Sequence, residues 1–310
     1  MRRSVAAWIL TLFGLLLVGA CGSDSPAPVK MLGWTVGNEP DSGYGVILHT
    51  ENGGRTWTRQ GNAVQLPEAG FEDICLLDPE TLLAVGDVLK DGTYNVYKTR
   101  DGGKTWGRVV SSTLMNVGYH GMFSLGRHVW IVGEAGSVHR SDDRGDSWRR
   151  IAVPPEYRSD MFLRVAARSA DDVWVVGGRH AADPYPIMLH TTDGGVTWVR
   201  LNPVRDLQID TGDLPRFLGI KLYGNSVWAV GGLGKFTIRS SDNGEHWSLL
   251  RTGGIYDAND IFVLSESEAY VVEDNNGVFH TSDAGVHWDD YSFTSGNYYL
   301  GVAGLPEKQL

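Results

Sequence analysis

Thr99-Arg100-Asp101-Gly102-Gly103-Lys104-Thr105-Trp106 is one of six octads of a single pattern in this chain of 310 residues. Thr50-Glu51-Asn52-Gly53-Gly54-Arg55-Thr56-Trp57 precedes it, and Ser141-Asp142-Asp143-Arg144-Gly145-Asp146-Ser147-Trp148 and Thr191-Thr192-Asp193-Gly194-Gly195-Val196-Thr197-Trp198 follow. Ser240-Ser241-Asp242-Asn243-Gly244-Glu245-His246-Trp247 and Thr281-Ser282-Asp283-Ala284-Gly285-Val286-His287-Trp288 complete the set. All read Ser/Thr-x-Asp-x-Gly-x-x-Trp, with Asn52 alone departing at the acid position. An Asp there can accept hydrogen bonds from the turn's own backbone N–H groups, Gly supplies a positive φ, and the hydroxyl closes the same network. Asp101, Asp143, Asp193, Asp242 and Asp283 are therefore read as turn formers before they are read as catalysts. The terminal Trp is expected to pack between neighbouring sheets, where burial contributes roughly 2–3 kcal/mol.

A second repeat lies upstream of each octad: Trp34-Thr35-Val36-Gly37, Leu83-Ala84-Val85-Gly86, Trp130-Ile131-Val132-Gly133, Trp174-Val175-Val176-Gly177, Trp228-Ala229-Val230-Gly231 and Tyr270-Val271-Val272-Glu273. These are buried strands ending in a bend, and another strand precedes each, as in Phe162-Leu163-Arg164-Val165-Ala166-Ala167. Four strands per repeat, A to D, result, with the octad joining C to D. Consecutive octad tryptophans are 41 to 50 residues apart, a length that suits one four-stranded sheet each.

The octads resemble the Asp-box, or bacterial neuraminidase, repeat. That resemblance covers nearly all of the chain after its leader and implies an all-β β-propeller, with six boxes implying six blades. Among Asp-box families the chain is similar to the photosystem II stability/assembly factor type, compact propellers acting as assembly scaffolds and usually described with seven blades; seven is the alternative count. The tail from Tyr298 to Leu310 repeats strand A and its turn and then stops, so pairing with Met31 to Gly37 is expected to close the ring.

At the other end, Arg2 and Arg3 precede an uncharged run from Val5 to Ala20, short for a bilayer-spanning helix of about twenty residues. The run ends Leu17-Val18-Gly19-Ala20-Cys21, which resembles a bacterial lipobox. The expected organisation is a signal peptide over residues 1–20, a lipidated Cys21 with a flexible tether over 21–30, and a single propeller over 31–310. Gly22 in place of Asp points, by analogy with bacterial sorting rules, to the outer membrane of a host that has two. Removal of residues 1–20 takes Arg2 and Arg3 and leaves a net charge of −12. Such an acidic protein is a poor partner for nucleic acid or a bare anionic membrane surface. Cys75, in Ile74-Cys75-Leu76-Leu77, reads as a buried inert thiol.

Strand alternation puts the A–B turns and the boxes on one side and the B–C and D–A connections on the other. The D–A connections are long and unlike one another, and variation of that kind collects where propellers bind. Tyr119, His120, Tyr157, Arg158, Asp160, Asp213, Arg216, Tyr256, Asp257 and Tyr298 on that side are the candidate ligand-binding residues. Aromatics with Arg and carboxylates suit a peptide or a sugar. A basic residue precedes every box (His49, Lys98, Arg140, His190, Arg239 and His280). One per repeat spreads them around the ring, so charge pairing with the box Asp or a neighbouring blade is expected instead of a metal site.

The sialidase signature is missing: no Arg-Ile-Pro occurs and no arginine triad can be matched, so no catalytic residue is carried over. A glycosidase of the two-carboxylate type would need carboxyls about 5–5.5 Å or 6.5–9.5 Å apart, drawn from Asp73, Asp160, Asp213 and Asp257. The expectation is a monomeric, membrane-anchored extracytoplasmic scaffold for an envelope protein or polypeptide, without metal or organic cofactor. Glycoside hydrolysis or polysaccharide binding is the alternative.

Overall fold

The computed structural model describes residues 32–39, 43–61, 66–179, 184–210, 215–232, 236–254, 256–274 and 277–292. They form six antiparallel sheets in chain order. The first has three strands, β1 (Gly33–Asn38), β2 (Gly45–Thr50) and β3 (Thr58–Gln60). The second holds β4 (Phe71–Leu76), β5 (Leu82–Gly86), β6 (Asn95–Thr99) and β7 (Gly107–Arg108), and the third β8 (Tyr119–Leu125), β9 (His128–Gly133), β10 (Ser137–Ser141) and β11 (Arg149–Arg150). The fourth comprises β12 (Phe162–Ala167), β13 (Val173–Arg179), β14 (Pro186–Thr191) and β15 (Val199–Arg200). The fifth is β16 (Arg216–Tyr223), β17 (Ser226–Gly232), β18 (Phe236–Ser240) and β19 (Ser248–Leu250), and the sixth β20 (Ala258–Val263), β21 (Ala269–Glu273), β22 (Gly277–Thr281) and β23 (Asp289–Asp290). The chain is a β-propeller. The leader, Cys21, Asp213, Tyr298 and the closing tail lie outside the described residues.

The first strands of successive four-stranded sheets pack side by side, β4 on β8, β8 on β12, β12 on β16 and β16 on β20, and form the inner course. Second strands are covered on both faces, which is why β5 and β17 are buried along their whole length and read as continuous apolar runs. Core clusters accordingly straddle neighbouring sheets: Trp130 and Val138 of the third pack with Phe162 and Val175 of the fourth. The outermost strands are two or three residues long, and β7, β11 and β23 are exposed. Short edges bearing Arg108, Arg149, Arg150, Asp289 and Asp290 offer no template for pairing with another chain.

Each box closes on itself. Thr99 Oγ1 accepts from the Asp101 and Gly103 N–H groups at 3.3 and 2.9 Å and donates to Asp101 Oδ1. Asp101 accepts in turn from Thr105 N and Thr105 Oγ1 at 2.9 and 2.6 Å. Asn52 replaces the acid by reversing one bond, its Nδ2 donating to Thr56 Oγ1 at 2.8 Å. The side-chain hydroxyl of Thr197, then its backbone N–H and Thr191, hold the Asp193 carboxyl down at about 2. A backbone strap absent from the sequence pattern ties each of the last five boxes to its own A–B turn: Gly102 N to Glu80 O, Arg144 N to Arg127 O, Gly194 N to Asp171 O, Asn243 N to Asn225 O and Ala284 N to Ser267 O.

One expectation changes and a second is met in one of its two forms. Among the tryptophans it is the second-strand set that is sealed, with Trp34, Trp130, Trp174 and Trp228 at 1% exposure or less. Of the box tryptophans only Trp106 and Trp148 are buried, whereas Trp57, Trp198, Trp247 and Trp288 are half-buried. The reason is position: the box ends at the short outer strand, while the second strand lies between two sheets. Of the two partners expected for the basic residues before the boxes, the box acid is already taken by its own turn, whereas the neighbouring blade supplies Asp146 to Lys98 and, at 3.5 Å, Glu266 to Arg239. These basic residues sit across the ladder from the second-strand aromatic, as His49 opposite Trp34, Arg140 opposite Trp130, His190 opposite Trp174, Arg239 opposite Trp228 and His280 opposite Tyr270. His190 stacks on Trp174 at 3.9 Å and Arg239 lies 5.0 Å over Trp228. Lys98, opposite Leu83, reaches the next sheet at Asp146 instead.

Candidate functional site

Every described inner strand carries a register shift within its first turn of ladder, at Phe71/Asp73, Tyr119/Gly121, Phe162/Arg164, Phe217/Gly219 and Ala258/Asp260. The bulge explains the glycine that ends the second strand: a Cβ on Gly133 would lie 2.0 Å from Gly118 O. Where Glu273 takes that place, the aromatic opposite has become Ala258. Bulges bend a strand and re-aim its side chains. Here they present Glu72, His120, Leu163, Leu218 and Asn259 at the start of the inner course, with Asp73, Gly121, Arg164, Gly219 and Asp260 one step deeper.

The deeper set clasps neighbouring sheets. Asp73 accepts from Ile74 N through Oδ1 and from Met122 N of the next sheet through Oδ2, both at 2.9 Å. Burial pushes its carboxyl up to about 6, against the opposing pull of Arg164. Arg164 Nη1 donates to His120 O at 3.0 Å and to Leu163 O at 2.8 Å, crossing back to the third sheet. Lys221 Nζ stands 4.0 Å from Asp260 Oδ1. In the outer set, burial and then the charge of Asp87 raise Glu72, and burial lowers His120 against the opposing pull of Asp87 and Glu134. Glu134 Oε2 accepts from Gly118 N at 3.3 Å. The result is a mixed-charge mouth shared by the second, third and fourth sheets.

B–C and D–A connections meet around this mouth, as Glu134 N bonds Gly118 O, Gly178 N bonds Met161 O and Asp274 N bonds Asp257 O. Of the ten candidate ligand-binding residues, His120 lies in it. Arg158, Arg216 and Tyr256 are exposed on the same side, and Asp257 is half-buried. Tyr119 is a correction: it is fully buried, with its hydroxyl between Met115 and His139, and burial raises it. As the paired residue before the bulge it faces inward while His120 faces the mouth. Tyr157 and Asp160 are also buried, at 9% and 4% exposure, because the 155–157 turn folds onto the third and fourth sheets. Asp73, considered as a glycosidase carboxylate, has both oxygens bonded to backbone. Sequence reasoning passed over Asp87 and Glu134, although each directly follows a second-strand glycine. Cys75 is buried and burial pushes its thiol up to about 12, so it is inert.

Comparison with known proteins places this geometry. The family model described as "Photosynthesis system II assembly factor YCF48" matches residues 115–208 and, overlapping, 161–297. A photosystem II assembly lipoprotein, Ycf48, from a Synechococcus strain is 24% identical over 253 residues, 77% of this chain and 65% of the relative. The Ycf48 assembly protein of Thermosynechococcus vestitus is 28% identical over 179 residues, 56% of this chain and 46% of the relative. The chain thus spans less than two thirds of the length of these relatives. Among solved structures, YCF48 from Cyanidioschyzon merolae superposes with a TM-score of 0.64 at 16% identity, covering 86% of this chain and 84% of the other. The GH74 enzyme of Niastella koreensis gives 0.60 at 17% identity over 83% and 44%. Both structural likenesses concern the fold.

Proposed function

This chain belongs to the photosystem II assembly factor YCF48 family, and from that membership we propose that it is a non-catalytic scaffold holding a polypeptide on its B–C and D–A side. The observation that carries the reading is the pair of overlapping family matches, which span the third to sixth sheets and include His120, Glu134 and Arg164 of the mixed-charge mouth. The relatives are named for photosystem II assembly; for this chain the proposal is the binding of a protein of the cell envelope. Relatives named lipoproteins, from Synechococcus and Picosynechococcus, support acylation of Cys21 after removal of residues 1–20, export, and a tether over 21–30. Two acyl chains anchor far better than one, since each buried methylene contributes about 0.8 kcal/mol.

Replacing Arg158 and Arg216 with Glu and Tyr256 with Ala together is expected to abolish capture of the partner from detergent-solubilised envelope by the full-length lipoprotein. Being exposed, these three changes should leave the thermal midpoint within about 2 °C of the parent. Undiminished capture by the triple variant sinks the rim as the binding face. Hydrolysis of β-glucan or sialoside substrates by the parent would instead put an enzyme in place of the scaffold.

The same reading includes a ring of six blades closed by the chain ends. In support, among the described residues the first sheet supplies only the equivalents of strands B, C and D, and β1 packs on β4 as a second strand would. Tyr298 to Leu305 has the pattern of the missing strand A. Closure joins residues roughly 260 apart, an entropic cost of about 5 kcal/mol on the logarithmic term. Deleting 298–310 is expected to replace one cooperative urea transition by an earlier, broader one. A truncated chain that melts like the parent would rule this closure out.

A further inference from the structure

Glu72, Asp87 and His120 come from three places in two sheets: the bulge of β4, the residue after β5 and the bulge of β8. One donor atom from each lies within 4.8 Å of the other two. His120 Nε2 is buried and has no hydrogen-bond partner among the described residues. A buried imidazole nitrogen left without a partner is costly, and native structures nearly always satisfy such a group. The two carboxylates raise a second demand, for positive charge between them. Arg164 offsets Glu72, yet its Nη1 is directed to the His120 and Leu163 carbonyls. We propose that Glu72, Asp87 and His120 form a binding site for a divalent first-row transition cation that bridges the second and third sheets at the mouth of the inner course.

The donor set suits such an ion. One imidazole and two carboxylates are ligands for Zn²⁺, Mn²⁺ or Fe²⁺, and without a thiolate they do not favour soft Cu(I). Ligand distances of about 2.0–2.2 Å require each donor to move inward by less than about 1 Å, within the reach of side-chain rotation. Three protein donors leave a coordination position for water or for a side chain of a bound polypeptide. The other cluster of similar composition among the described residues, Asp242, Glu245 and His246, is of a different kind. There His246 Nδ1 lies 2.6 Å from Asp242 Oδ2 and completes a box turn at the exposed surface.

The test uses the full-length protein in detergent, stripped with EDTA and titrated calorimetrically with Zn²⁺ and with Mn²⁺. One equivalent is expected to bind the parent, and His120→Ala and Asp87→Asn should each weaken binding at least tenfold. His246→Ala should leave affinity and stoichiometry unchanged. Because a bulge variant can lose its fold, Mn²⁺ bound to the unaltered protein is also examined by pulsed EPR, where ¹⁴N coupling from one imidazole is expected. No binding by the parent, equal binding by His120→Ala, loss of the site in His246→Ala, or a Mn²⁺ signal without nitrogen coupling would each overturn the assignment. None of these outcomes bears on whether the rim captures a polypeptide, so the two readings fail separately.

Discussion

Replacing Trp174 by alanine is expected to lower unfolding stability by about 3–5 kcal/mol, a large share of the 5–15 kcal/mol typical of a domain. The ring is fully buried on β13, and its faces are occupied. His190 stacks on it at 3.9 Å, and Trp247 meets it edge-on at 6.4 Å. The box of the next sheet rests against it so closely that a Cβ on Gly244 would come within 2.6 Å of its six-membered ring. Indole Nε1 also donates to Asp172 Oδ1 at 3.1 Å, and Asp172 receives His190 at 2.9 Å. Alanine therefore opens a cavity between the fourth and fifth sheets and removes one donor from a carboxylate that holds the A–B turn. Trp198→Ala, at a half-buried box position, should cost less than half as much. Urea titrations at constant slope measure both; equal losses at the two sites would mean that the box tryptophans carry the inter-sheet packing after all.

The second large effect is on pH dependence. His139 lies on the wholly buried β10, with Nε2 2.9 Å from Thr113 O and Nδ1 3.4 Å from the Tyr119 hydroxyl. That pair of contacts suits the neutral ring, Nε2–H donating and Nδ1 accepting. Burial holds the group down at about 4, the Thr113 carbonyl opposing it and Arg150 adding to the shift. An unfolded chain takes up the proton near 6.5, so between about 4 and 6.5 the unfolded state binds more protons than the folded one. Stability therefore rises with pH through that window and is lost as pH falls through it. The shift corresponds to roughly 3 kcal/mol at 1.36 kcal/mol per unit. His139→Gln keeps a donor for Thr113 O and removes the titration. From pH 6.5 down to 4 the parent should lose roughly 3 kcal/mol more than the variant. Asp73, whose raised carboxyl acts in the opposite direction, is common to both proteins and drops out of the difference. A parent-to-variant difference that stays constant across the window would show that His139 is not held neutral.

Much of the wheel was legible in the chain because its rules are local. The octad fixes a turn whose partners lie within six residues, so Asp101 or Asp193 could be assigned to its own corner from spacing alone. Alternating strands then dictated which connections share a side. Tyr119 and His120 mark the limit of that reasoning. They are adjacent, polar-tipped and at the start of the same strand, and only the bulge between Tyr119 and Gly121 sends one into the core and the other to the mouth. A side-chain period of two gives no notice of an inserted residue. The second-strand glycine opposite the bulge was the available clue: at Gly86 and Gly133 its lack of a Cβ admits a backbone carbonyl at 2.0 Å, which an unbroken ladder would not require.

What the sequence determined by itself is the repeat: a hydroxyl, an acid (once an amide) and a glycine at fixed spacing make the same corner six times, since every bond involved is short-range. What only the tertiary structure decided is which residues of different repeats meet. Glu72, Asp87 and His120 are separated by 15 and 33 residues and are joined by the packing of β4 against β8. Arg164 and Asp73 likewise find their partners one sheet away. Such encounters depend on how sheets stack about a common centre, and no local pattern of residues encodes that distance.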